Sequence, residues 1–140
     1  MTFELTVLGS SSALPTSTRF PSAHVLNIHE RFFLIDCGEG TQIQLRKAKI
    51  RFGKINHIFI SHMHGDHVFG LFGILSTFQL LGRKVPLHLY GHSQLEKMID
   101  FYHEYFGNDE GYSIVLHKIT KRQPQIIYED KVVEVLAFPL

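Results

Sequence analysis

A single cysteine, Cys37, in 140 residues leaves no partner for an internal disulfide and fits a reducing compartment. An excess of one charge sign is missing as well. The formal net charge of +1 is no global signature of a nucleic-acid-binding protein, so any such partner must be sought in local patches. No apolar run is long enough for a bilayer: the most apolar segment, Val68 to Leu81, is interrupted by Gly70, Gly73, Ser76, Thr77 and Gln79. Met1-Thr2-Phe3-Glu4 offers neither the basic start nor the apolar core of a secretory leader. The expected location is therefore the cytoplasm, with no membrane partner. No internal repeat or low-complexity tract occurs, and 44% hydrophobic with 19% charged residues is ordinary for one globular domain with a core of its own.

Against that background one stretch stands apart. Ser61-His62-Met63-His64-Gly65-Asp66-His67 sets three imidazoles and a carboxylate between the apolar runs Ile55 to Ile60 and Val68 onward. Neutral imidazole and carboxylate are ligands of zinc and similar divalent ions, and crowding imidazoles is costly unless a metal uses them. In an extended segment side chains alternate, so His62 and His64 can point to one side and chelate one ion. A turn at Gly65 would carry Asp66 and His67 to a neighbouring position that can hold a second. The spacing therefore points to a two-metal site. His29, His57, His88, His92, His103 and His117 lack such a pattern and read as surface or satisfied core residues.

The chain around this cluster reads as a layered α/β domain. Phe3 to Leu8 alternates apolar and polar residues as a half-buried strand does. The polar loop that follows carries the hydroxyls of Ser10, Ser11 and Ser12 and the guanidinium of Arg19, which are candidate phosphate contacts or simply solvated surface. Ala23 to Ile28 and Arg31 to Ile35 read as strands joined at His29-Glu30. The second runs into Asp36-Cys37-Gly38-Glu39-Gly40, where Asp36 either faces a site or caps the turn. Thr41 to Lys49 reads as a helix with Ile43 and Leu45 inward. Arg46, Lys47, Lys49, Arg51 and Lys54 form a basic run, first a solvated face and second a contact for a nucleic-acid backbone. Ile55 to Ile60 is a covered strand, and a helix from His67 or Val68 to about Leu81 follows, with Val68, Leu71, Phe72, Leu75 and Phe78 as core. Val85 to Tyr90 is the next strand, and Ser93 is placed to cap a helix reaching about Phe106. Tyr112 to Ile119, Gln125 to Tyr128 and Lys131 to Phe138 complete the strands.

Several of these stretches together resemble one family. Residues 61–67 match the HxHxDH signature of the metallo-β-lactamase superfamily, whose fold is a four-layer αββα sandwich. Leu8-Gly9-Ser10-Ser11-Ser12-Ala13-Leu14-Pro15-Thr16, Asp36-Cys37-Gly38-Glu39-Gly40-Thr41-Gln42 and Gly65-Asp66-His67-Val68-Phe69-Gly70-Leu71 are similar to those of ribonuclease Z, the endonuclease that removes the 3′ trailer from precursor tRNA. The resemblance runs along the whole chain. It implies His62 and His64 as ligands of a first zinc ion, Asp66 and His67 of a second, Asp66 also as proton acceptor for the attacking water, and Asp36 as an orienting residue. It further implies a precursor-tRNA substrate cut by metal-activated water to leave a tRNA 3′-hydroxyl, no DNA partner, a homodimer, and two zinc ions per complete site, with manganese or another divalent ion also open.

The family's later ligands, a histidine after the strand at Phe138, a bridging aspartate and a last histidine, have no counterpart here. Residues 1–140 are accordingly expected to form the N-terminal half of such a domain, one mixed sheet with helices, and to be inactive alone. Two protein ligands per ion fall short of the three plus water of catalytic zinc, so weak metal binding is expected unless His24, His92 or a partner chain completes the site. Two other readings remain open. One is another hydrolase on the same fold, acting on a phosphodiester, thioester or lactam; the other is a non-catalytic zinc-binding half-domain.

Overall fold

The computed structural model describes residues 2–107 and 111–140. β1 (Phe3–Gly9), β2 (Ala23–Ile28), β3 (Arg31–Ile35), β4 (Ile55–Phe59), β5 (Leu87–Gly91) and β6 (Ile114–Lys118) lie in chain order in one six-stranded sheet. β1 to β3 pair antiparallel, and β3 to β6 pair parallel. The β2–β3 hairpin turns on His29 and Glu30, both in the left-handed region at φ 49° and 65°, the backbone twist that a two-residue hairpin requires. The Glu30 N–H donates to Asn27 Oδ1 at 3.0 Å.

The strand expected to be covered, at Ile55 to Ile60, is covered on both faces, and so are its two neighbours in the sheet. Leu34, Ile58 and Leu89 pack with α1 (Thr41–Lys47), α3 (Leu71–Leu80) and α4 (Leu95–Tyr105) through Leu45, Leu71, Ile74, Leu75, Phe78, Leu95 and Ile99. Their neighbours Phe33, Phe59 and Tyr90 point to the opposite face, because side chains alternate along a strand. There the hairpin of β7 (Gln125–Glu129) and β8 (Glu134–Ala137), a separate two-stranded sheet, lays Ile127, Tyr128, Val133 and Val135 on them. Asp130 fixes the hairpin turn: its carboxylate accepts from the backbone N–H groups of Val132 and Val133 at 2.8 and 2.9 Å, from the Tyr128 hydroxyl and from the Arg31 guanidinium. Those backbone donors, with Arg31, hold it well below the usual carboxylate range.

Tertiary contacts move several expected boundaries. The helix expected from His67 or Val68 to Leu81 is two, α2 (Gly65–Val68) and α3, interrupted at Gly70, whose N–H donates to Cys37 O at 2.9 Å. The fourth helix starts at Leu95 with Gln94 in the cap position, so Ser93 does not cap it. Ile43 is half exposed, and α1 buries Thr41 and Leu45. The last strand is confined to Glu134–Ala137 because Asp130 gathers the preceding residues into the turn.

Three histidines read singly from the sequence share the hairpin-side face. His57 and His88 are register partners on β4 and β5 with rings stacked 5.1 Å apart, and His88 Nδ1 lies 2.9 Å from His117 Nε2. Tyr128 of the hairpin meets His57 edge-on at 4.7 Å. Burial first, then the neighbouring charges of His88 and His117, push His57 down to about 4. A histidine with a depressed native pKa charges first in the unfolded chain, so stability is fully present above about pH 6.5 and drains away as pH falls toward 4. After allowance for solvent screening of a half-buried ring, His57 contributes about 1–2 kcal/mol to that loss. His57→Phe is expected to flatten the dependence of the urea midpoint on pH between 6.5 and 4. An unchanged slope would show that acid destabilisation arises elsewhere.

Candidate metal centre

The centre forms where β3 and β4 end side by side. Asp36 follows β3 at φ 60°, a left-handed conformation that aspartate tolerates better than most residues. Its N–H donates to Phe59 O at 2.7 Å, tying the two strand ends together. The side chain is almost fully buried, at 5% exposure. It takes no part in capping α1. Asp36 Oδ1 accepts the Ser61 N–H at 2.8 Å, and Oδ2 accepts the Ser61 hydroxyl at 2.9 Å and the Ser22 hydroxyl at 3.3 Å. Oδ2 also lies 2.6 Å from His67 Nδ1.

An ionised carboxylate only accepts, so the short Asp36–His67 contact assigns a proton to Nδ1 of His67 and leaves the lone pair of its neutral ring on Nε2. That Nε2 lies 3.4 Å from Asp66 Oδ2. In the neutral tautomer two electron-pair donors thus face one another without a proton between them. Ligand atoms held at 2.0–2.2 Å by a tetrahedral ion stand roughly 3.3–3.6 Å apart, and the pair fits that spacing. Donor chemistry and spacing suit a divalent cation, although among the described residues no three such donors converge on a single point.

The three imidazoles form one group. His62 lies 3.9 Å from His67 and 4.6 Å from His64, centroid to centroid. The sequence reading paired His62 with His64 on an extended segment, but the strand ends at Phe59 and the chain bends at Met63 and His64. The turn into α2 at Gly65 brings His67 back beside His62. Ser61 Oγ lies 3.1 Å from His62 Nδ1 and 3.3 Å from His67 Nδ1.

Ser22 and Ser61, which grip Asp36, carry only a faint signal in the sequence: Ser61 adjoins the cluster, and Ser22 closes the polar loop. Ser10, Ser11, Ser12 and Arg19 have no hydrogen bond to the cluster among the described residues. The Ser11 N–H donates to Phe20 O, the Arg19 N–H donates to Thr16 Oγ1, and Arg19 is exposed. His92 lines the same groove as Ser61 and His62, a space of about 1300 Å³ running along the hairpin-side face. His24 sits on β2 opposite Val7 and Ile35. In the basic run, Arg46, Lys47 and Lys54 lie over the rings of Phe52, Phe20 and Phe32, and Lys54 pairs with Glu30.

The family described as Anti-Pycsar protein Apyc1 matches residues 3–103. A protein of Bacteroides fragilis named Ribonuclease Z is 46% identical over 138 residues, 99% of this chain and 45% of its own length. The crystal structure of human tRNase Z, short form, superposes with TM-score 0.87 at 35% identity, covering 96% of this chain and 59% of that one. The metallo-β-lactamase-fold protein YhfI from Bacillus subtilis superposes at TM-score 0.67 with 20% identity, covering 91% and 50%, a likeness of fold. The chain spans about half the length of these relatives.

Proposed function

Since this chain belongs to the family described as Anti-Pycsar protein Apyc1 and has ribonuclease Z homologues along 99% of its length, we propose that it is the N-terminal half of a metal-dependent endoribonuclease domain that removes the 3′ trailer from precursor tRNA. The observation that carries the reading is the Asp36–His67–Asp66 arrangement, in which a buried carboxylate holds Nδ1 and leaves Nε2 beside a second carboxylate. A carboxylate behind a ligating histidine fixes its tautomer and strengthens it as a donor.

His62 and His64 would hold one ion through ring nitrogens, and Asp66 with His67 Nε2 would hold the other. Zinc, or manganese or another divalent ion, would supply charge that polarises the phosphate and lowers the pKa of water toward about 7. The Asp66 carboxylate would accept the proton of the attacking water. Asp36, gripped by Ser22 and Ser61, would keep His67 from turning. Ser10, Ser11, Ser12 and Arg19 would contact phosphate oxygens of the RNA. Two protein ligands per ion are too few for tight binding, so residues 1–140 would bind metal weakly and need the other half for turnover. A cytoplasmic homodimer, with no DNA or membrane partner, belongs to the same proposal. No helix among the described residues is long and apolar enough to cross a membrane.

The family's own description does not name a ribonuclease, which favours keeping a second reading, hydrolysis of a smaller ester on the same fold. The two separate in one assay. A chimera of this chain followed by the remaining length of the Bacteroides fragilis relative is expected to cut labelled precursor tRNA at the trailer junction. Asp66→Ala is expected to lower that rate by at least about 10²-fold, as loss of a general base does. Hydrolysis of a small phosphodiester with intact precursor tRNA would instead favour the second reading.

A further inference from the structure

A cleft of about 360 Å³ lies between Phe20 and Phe69, with Gln42 and Gly73 in its wall. Phe69 closes the first turn after Asp66 and His67, its N–H donating to Gly65 O at 2.9 Å. Despite its size it is 72% exposed. Its ring lies flat against the chain: a Cβ placed on Gly65 would stand 2.2–2.8 Å from three of its ring atoms. Phe20 sets a ring edge against Gly40, where an added Cβ would stand 2.4 and 2.6 Å from two of its ring atoms. The Gln42 amide lies across Gly73, where an added Cβ would meet Oε1 at 2.2 Å, and has no hydrogen-bond partner among the described residues. Lys47 Nζ sits 5.3 Å from the Phe20 ring centroid, and Arg19 beside Phe20 is exposed. Glu39 is the one carboxylate in the lining.

A single exposed aromatic residue calls for no partner by itself; its setting does. Here the face is pinned one helical turn from Asp66 and His67, an unengaged amide stands near it, and the Lys47 ammonium lies over the Phe20 ring of the opposite wall. A planar ring with polar edges joined to a phosphate matches all three features: stacking on Phe69, hydrogen bonding to Gln42, and charge complementarity with Lys47. We infer that this cleft is a nucleobase subsite in which a base of the substrate next to the scissile phosphate stacks on Phe69. The inference rests on the nuclease reading for the polymer, RNA, but its test needs neither turnover nor metal.

The chain has no tryptophan, so Phe69→Trp places a single indole at the platform. A single-stranded RNA hexamer is expected to quench its fluorescence saturably, whereas an abasic hexamer of the same backbone leaves it unchanged. In anisotropy titrations of the labelled hexamer, Phe69→Ala is expected to weaken binding about 5- to 100-fold, the range found for loss of one stacked base, and Phe69→Tyr to retain it. Lys47→Ala should weaken the RNA and abasic hexamers alike. Equal quenching by the two hexamers, or Phe69→Ala binding RNA as tightly as the parent, would overturn the inference. If the chimera fails to cut precursor tRNA while the base-dependent quench persists, the nuclease reading falls and the subsite stands.

Discussion

Asp36→Asn is expected to lower the zinc affinity of the centre about 10- to 100-fold, the loss seen when a carboxylate behind a ligating histidine is removed. The substitution isolates charge from shape. Asparagine tolerates the left-handed backbone that Asp36 occupies at φ 60°, and its amide oxygen can still accept the Ser61 N–H. Its amide nitrogen, however, would turn a donor toward either the Ser61 hydroxyl or His67 Nδ1, 2.9 and 2.6 Å from Oδ2 in the parent. If it faces Nδ1, the imidazole must shift its proton to Nε2 or rotate, and either change withdraws the lone pair beside Asp66. Competition with a chromophoric chelator measures the effect. Unchanged affinity would show that His67 does not need Asp36 in order to bind metal.

Gly70→Ala is expected to cost about 3 kcal/mol, at the upper end of overpacking penalties. The backbone at Gly70 is ordinary, with φ −79°, so the cost is purely one of space. A Cβ there would lie 2.0 Å from Gly38 O, 2.9 Å from Gly38 C and 3.1 Å from Cys37 O. All three are backbone atoms of the segment that carries Asp36, and none can swing aside as a side chain would. The N–H of Gly70 donates to Cys37 O, and the Cys37 N–H donates to His67 O. Relief of the clash would therefore separate the two strands of chain that hold Asp36 against His67. Urea unfolding should show a large drop in midpoint together with a fall in zinc affinity. A shift of less than about 0.5 kcal/mol, the scale of an uneventful surface change, would mean that the crossing gives way freely.

Much of the fold was legible because alternation and apolar runs report burial directly. The edges of β2 and β3 and the turn between them follow from the sequence, and the apolar run at Ile55 is a covered parallel strand. What escaped was set by contacts between distant segments. The break between α2 and α3 comes from the Gly70–Cys37 crossing, and no local pattern announces it. Arg83, which no local pattern singles out, is 8% exposed. Its guanidinium donates to Ile55 O, Asn56 Oδ1, Val85 O and Pro86 O and lies over Phe78. Its use depends on strand ends meeting in space. The ladder of His57, His88 and His117 likewise depends on register among three strands.

The candidate site divides along the same line. Residues 62–67 are close in sequence, so their chemistry is visible there. Asp36 left two readings, cap or site, until β3 and β4 were seen to end together. Ser22 and Ser61 matter only because Asp36 is buried between them.

In the proposed centre His62, His64 and His67, with Asp66 and backed by Asp36, form one half of a divalent-metal site. Zinc titration of the 140-residue chain, followed by NMR of the imidazole nitrogens, is the decisive test. The expected result is weak binding, needing zinc well above stoichiometry, with shifts at His62, His64 and His67 and none at His57, His88 or His117. Shifts confined to the other histidines, or no response of these three at millimolar zinc, would contradict it.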